Sequence, residues 1–175
     1  MRRGWSVAAA TVLTVAGFVV EFDVSSHVAH ATGPVTTGRI AAGDKHTCVI
    51  RDDAQVWCWG DDSFGQLGSS SFGGSYSETP IHTSGFGGRT PVQVAAGANH
   101  TCALMSDGTV WCWGSGGYIQ LGDPSGTTSL DPVQVSLGTT VSSIAVGGNT
   151  SCAVTTAGNV LCWGRNNKGQ IGNGT

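Results

Sequence analysis

Val56-Trp57-Cys58-Trp59-Gly60 reads as a β-strand that is apolar at every position before its final glycine. It returns as Val110-Trp111-Cys112-Trp113-Gly114 and, at its end, as Cys162-Trp163-Gly164. A strand with one wet face alternates polar and apolar residues, whereas an unbroken apolar run requires cover on both faces. Sheets stacked between neighbouring sheets supply that cover. Each run is preceded by a second strand, because Cys48, Cys102 and Cys152 stand before Cys58, Cys112 and Cys162, always with nine residues between partners. Ser106-Asp107-Gly108 separates the two apolar strands of the middle copy, and Asp-Gly between such runs is a strong hairpin signal. The turn glycine recurs as Gly158, but Ala54 holds its place in the first copy. A positive φ there would strain the alanine.

The match extends beyond the hairpins. Ala42-Gly43-Asp44-Lys45-His46-Thr47-Cys48 corresponds to Ala96-Gly97-Ala98-Asn99-His100-Thr101-Cys102 and to Val146-Gly147-Gly148-Asn149-Thr150-Ser151-Cys152. Glycine-rich turns close on Gly65-Gln66-Leu67-Gly68, Ile119-Gln120-Leu121-Gly122 and Gly169-Gln170-Ile171-Gly172. Thr90-Pro91-Val92-Gln93-Val94 and Asp131-Pro132-Val133-Gln134-Val135 read as the openings of following units. From cysteine to cysteine the period is 54 residues and then 50, which is the spacing of a repeat architecture. The expected units span about residues 39–90, 91–138 and 139–175, the last incomplete.

With 28 glycines in 175 residues and only 11% charged residues, turn-rich all-β structure is the natural expectation. The formal net charge of -3 lacks the clustered Lys and Arg of a nucleic-acid footprint. Arg2 and Arg3 precede the apolar stretch Val7 to Val20, and Ala29-His30-Ala31 offers small residues where a signal peptidase reads. Residues 1–31 are therefore expected to be a signal peptide cleaved after Ala31, leaving the repeats at 32–175. The product is expected to be secreted or at the cell surface, or membrane-anchored if uncleaved. The apolar run is shorter than the roughly 20 residues of a spanning helix.

The order Ala-Gly-x-x-His-Thr, Gly-x-Val-x-x-Trp-Gly, Gly-Gln-Leu-Gly resembles the regulator of chromosome condensation repeat family. Trp163-Gly164-Arg165-Asn166 through Gly169-Gln170-Ile171-Gly172 carries the best likeness. The resemblance implies an all-β propeller with three blades present, a fragment of a seven-bladed ring. Thr150 stands where the other units have His46 and His100, Ile119 replaces a turn glycine, and Asp62 and Gly116 replace the asparagine matched by Asn166. Kelch propellers share the period, but their doubled glycine and spaced aromatic residues do not recur in register.

Six cysteines in an exported chain, paired across antiparallel strands, suggest three disulfides: Cys48 with Cys58, Cys102 with Cys112 and Cys152 with Cys162. Free buried cysteines are the alternative. Trp59, Trp113 and Trp163 occupy one repeated position. They are expected to pack against the next blade, each contributing roughly 3 kcal/mol. His46, Cys48 and Cys58 could supply zinc ligands, as could His100, Cys102 and Cys112, but each set lacks a fourth and the third unit lacks its histidine. The two histidines read instead as turn hydrogen-bonding groups. Asp52, Asp53, Asp61 and Asp62 fall on turn signals, where Asp serves local hydrogen bonds. Sequons at Asn99, Asn149 and Asn173 also fall at repeated turns.

The connection from Ser69 to Thr90 is the least repetitive stretch, and it reads as a binding loop presenting Phe72, Tyr76 and Phe86, or else as a spacer. No catalytic constellation, cofactor or small-molecule substrate site is expected. The expected role is an exported, non-catalytic module binding an unknown protein, with no nucleic-acid partner. Family analogy offers a guanine-nucleotide exchange factor as an alternative, and the repeat region of a larger secreted enzyme is a third reading. The earlier units run on past the position matching Thr175, so a truncated frame or self-association through open blade edges is expected.

Overall fold

The computed structural model describes residues 38–174, and the expected signal peptide lies outside them. Eleven strands form three antiparallel sheets, each a meander in which consecutive strands are neighbours. The first contains β1 (Ile40–Ala42), β2 (His46–Ile50), β3 (Val56–Asp61) and β4 (Tyr76–Thr83). The second contains β5 (Pro91–Ala96), β6 (His100–Met105), β7 (Val110–Gly114) and β8 (Ser129–Gln134). The third contains β9 (Val141–Gly147), β10 (Thr150–Thr155) and β11 (Val160–Gly164). These are blades of a β-propeller, so the all-β expectation holds.

The apolar strands are sandwiched as their composition requires. One core joins Cys48, Ile50, Val56, Cys58 and Leu67 of the first sheet to Val94, Ala103, Met105 and Trp113 of the second, with Phe86 from the connection between them. A second core joins Cys102, Leu104, Val110, Cys112 and Leu121 to Val141, Ile144 and Ala153 of the third sheet. Both cores lie between sheets, and this follows from the period of the strand. Along β3, Val56 and Cys58 point to the following sheet, so Trp57 and Trp59 must point the other way.

The glycine that ends each Trp-Gly pair is required twice over. Gly60, Gly114 and Gly164 have φ of 103°, 99° and 107°. A Cβ on them would also lie 2.3, 2.5 and 2.5 Å from the carbonyl oxygens of Lys45, Asn99 and Asn149. At the first two, the register to the outer strand shifts, between Cys58 and Gly60 and between Cys112 and Gly114, the local irregularity that glycine commonly permits.

Two sequence expectations are corrected. The pentapeptides Thr90–Val94 and Asp131–Val135 do not play the same part: the first enters β5, the inner strand of the second sheet, while the second runs through β8, the outer strand of that sheet. The true counterpart of Asp131–Val135 is Thr79–Thr83, because Ile81 faces Cys58 as Val133 faces Cys112. Proline suits any strand edge or strand start, so the motif does not distinguish them. The connection Ser69 to Thr90 likewise is not one loop, since β4 occupies its centre. An outer edge strand is mostly solvated, and its Ser, Thr, Glu and Pro residues read like a linker.

Candidate functional site

The repeated polar residues converge on a joint between successive sheets. Thr101 and Trp113 face each other across the β6–β7 hairpin. The Thr101 hydroxyl donates to the Gln66 carbonyl at 3.0 Å and the Trp113 indole N–H donates to the same oxygen at 2.9 Å. Having given away its proton, the Thr101 hydroxyl accepts from His46 Nε2, 2.8 Å away. The second joint repeats the first. Ser151 and Trp163 face each other, both donate to the Gln120 carbonyl at 2.9 Å, and His100 Nε2 lies 2.9 Å from Ser151 Oγ.

This pattern assigns the Nε2–H tautomer to both histidines. Their Nδ1 atoms are buried without a hydrogen-bond partner, so neither ring has a second acceptor to share a second proton with. Burial therefore pushes the pKa of each down to about 4. A backbone link runs beside each joint, from Asp44 N–H to Gly97 O at 3.4 Å and from Ala98 N–H to Gly148 O at 2.8 Å. Glycine is obligatory there: a Cβ on Gly43 would sit 2.4 Å from Gly97 O and from the His46 ring, and one on Gly97 would meet His100 and Gly148 O at 2.5 and 2.7 Å.

The tryptophans are thus packing residues, but each packs on the preceding sheet and not the next. Trp113 is fully buried, whereas Trp163 is half-buried and so is Trp59, which has no earlier sheet among the described residues. All three cysteine pairs are disulfide-bonded: Cys48–Cys58 and Cys152–Cys162 with S–S of 2.09 Å and Cys102–Cys112 with 2.14 Å. The first two are sealed beneath the following sheet, and the third is half-buried. The sulfurs that might have served zinc are bonded to each other. Among the described residues no group of three His, Cys, Asp or Glu converges on a metal position.

Sequence reasoning placed the histidines in local turns, yet they reach the next sheet. The overlooked signal is the hydroxyl after the histidine position, Thr47, Thr101 and Ser151, present in all three units. The buried glutamines were also overlooked. Oε1 of Gln66, Gln120 and Gln170 accepts the backbone N–H two residues earlier at 2.8–2.9 Å, folding each turn so that its carbonyl faces the joint. Asp62 does the work of Asn166: each side chain accepts the N–H five residues on, from Leu67 and Ile171. The other turn acids behave similarly, Asp61 accepting from Ser63 and Gln66 and Asp53 from Gln55.

Phe72, Tyr76 and Phe86 do not come together as a binding loop. Phe86 is buried edge-on to Trp113, ring centres 5.7 Å apart. Phe72 packs at the margin of the same core, and only Tyr76 is well exposed. A different set of apolar side chains is displayed on one rim: Phe64, Tyr118, Ile119 and Leu130 are each 43–50% exposed. Leu130 lies against Gly65, beside Phe64, and the Arg165 guanidinium sits 4.7 Å over the Tyr118 ring.

The comparisons with known proteins agree with this repeat structure. Matches to the regulator of chromosome condensation (RCC1) repeat cover residues 39–66, 92–120 and 141–170 in one form and 53–104 and 107–154 in another. The human E3 ubiquitin-protein ligase HERC2 is 36% identical over 94 residues, 54% of this chain and 2% of that protein. The Arabidopsis thaliana ultraviolet-B receptor UVR8 is 37% identical over 98 residues, 56% of this chain and 22% of that protein. The chain therefore spans a small part of the relatives it matches. Among solved structures, Prp20p of Saccharomyces cerevisiae superposes with a TM-score of 0.70 at 24% identity, over 78% of this chain and 35% of that one. Human WBSCR16 gives 0.70 at 28%, with the same coverage. This chain belongs to the regulator of chromosome condensation (RCC1) repeat family.

Proposed function

We propose that the chain is a non-catalytic β-propeller module, exported from the cell, that binds another protein through its rim. The observation that carries the reading is the division of labour among side chains. The repeated His, Thr, Trp and Gln groups are engaged in joints, and the apolar side chains left exposed gather at Phe64, Tyr118, Ile119 and Leu130. Exposed aromatic and aliphatic residues beside an Arg are the composition of a protein-binding surface. Prp20p, a structural relative, is described by its binding to Gsp1p and histones, and this module is proposed to bind protein in the same general sense. Export is supported by three disulfides, which persist in oxidising compartments.

The test compares partner capture by the wild type with capture by the double variant Tyr118→Ala, Leu130→Asp. A partner held by the wild type should bind the variant at least about tenfold more weakly while the melting temperature stays unchanged. Equal affinity would exclude the rim. N-terminal sequencing of protein from the medium tests export, and a product found only inside the cell would overturn it.

A further inference from the structure

The two joints inside the chain are templates, and each open face of the described sheets carries one half of a third. On the first sheet, Thr47 and Trp59 face each other across the β2–β3 hairpin as Thr101 faces Trp113 and Ser151 faces Trp163. Both are half-buried, and neither side chain makes a hydrogen bond to a described residue. On the third sheet a concavity of about 560 Å³ is lined by Gly147, Thr150, Cys152, Arg165 and Gln170. Gly147, Thr150, Cys152 and Gln170 hold the positions of Gly43, His46, Cys48 and Gln66, which receive Thr101 and Trp113.

We propose that these two faces bind each other between copies of the chain, head to tail, with Thr47 and Trp59 of one copy donating to the Gln170 carbonyl of another. The occupant follows from the chemistry: the acceptor face is shaped for a hydroxyl and an indole N–H set directly opposite one another on a hairpin, and the first sheet presents that pair with its donors unused. Space supports the same pairing. A Cβ on Gly43 or Gly97 would strike the following unit, but one on Gly147 would meet nothing within 4 Å, so room remains for an arriving turn. Because donor and acceptor faces differ, the contact is heterologous, and it builds rings or chains depending on the rotation per step.

The third joint lacks one bond of the other two. Thr150 replaces the histidine, and its hydroxyl donates to the Arg165 carbonyl at 2.9 Å. The arriving Thr47 hydroxyl therefore receives no imidazole N–H, which weakens the contact and keeps it reversible. With Gly147 retained beside it, Thr150→His has the glycine against which His46 and His100 pack.

Sedimentation velocity on the full chain over a concentration series tests the proposal. The wild type should gain mass with concentration. Trp59→Arg, which blocks the donor face, and Gly147→Val, which fills the acceptor face, should each remain monomeric. Mixed together they should form a one-to-one dimer, because each keeps the half that the other has lost, and this outcome also reports that both are folded. Thr150→His should tighten association about tenfold. A wild type that stays monomeric up to about 0.1 mM, or single variants that associate as the wild type does, would overturn the proposal.

Discussion

Thr101 and Trp113, opposite each other on one hairpin, give their protons to a single acceptor, the carbonyl of Gln66 on the preceding sheet. The two lone pairs of one backbone oxygen thus tie both strands of a blade to its neighbour. Ser151 and Trp163 do the same at Gln120, so the unit of stability is the contact between blades.

Truncating the tryptophans should separate the joints by their burial. Trp113→Ala is expected to lose about 4 kcal/mol in urea unfolding, the range for a large core aromatic, since Trp113 is fully buried. Trp163→Ala and Trp59→Ala, both half-buried, should lose markedly less. Equal losses at all three would contradict the inter-sheet account.

Removing the shared hydroxyl tests the polar part of the joint. Thr101→Val keeps the volume but leaves the His46 N–H buried without an acceptor, for a loss of about 2 kcal/mol. The same change at Thr47, which has no partner among the described residues, should be close to neutral in the dilute monomer.

The histidines make stability depend on pH. Each has its folded pKa lowered from 6.5 to about 4 by burial. Between these values the unfolded chain binds protons that the folded chain refuses, so stability rises with pH through the window. The contribution is complete above about pH 6.5 and falls away as pH drops toward 4, by on the order of 2–3 kcal/mol per histidine. In His46→Gln or His100→Gln, the difference in urea midpoint between pH 7.5 and 4.5 should shrink. An unchanged difference in both would show that these rings do not carry it.

Two strained turn residues offer stabilising substitutions. Ala54 and Ile119 have φ of 57° and 65°, where their counterparts Gly108 and Gly65 have 80° and 78°. Ala54→Gly should gain about 0.5–1 kcal/mol, and Ile119→Gly about 1 kcal/mol, because a β-branched residue is poorly tolerated in the left-handed region. Ile119 is 44% exposed, so little burial is lost. A lower melting temperature for both variants would refute this.

Thiol exchange requires access to sulfur, and the three disulfides differ in it. Cys152–Cys162 is half-buried, while Cys48–Cys58 and Cys102–Cys112 are sealed. Under mild reduction followed by alkylation, peptide mapping should find Cys152 and Cys162 labelled first. Simultaneous labelling of all six would indicate global unfolding as the route.

Read by itself, the chain of residues determined the repeat, the hairpins, the cysteine register and the two turns where glycine is missing, because each depends on spacing or on a single residue's φ preference. The tertiary structure alone decided that each tryptophan turns back to the preceding blade, that the histidines reach forward, that two similar Pro-containing pentapeptides serve opposite edges of one sheet, and that Phe86 is core. The physical reason is range. The joint bonds connect residues 35 to 55 positions apart, and a period-2 strand has two equivalent faces until a neighbouring sheet occupies one of them.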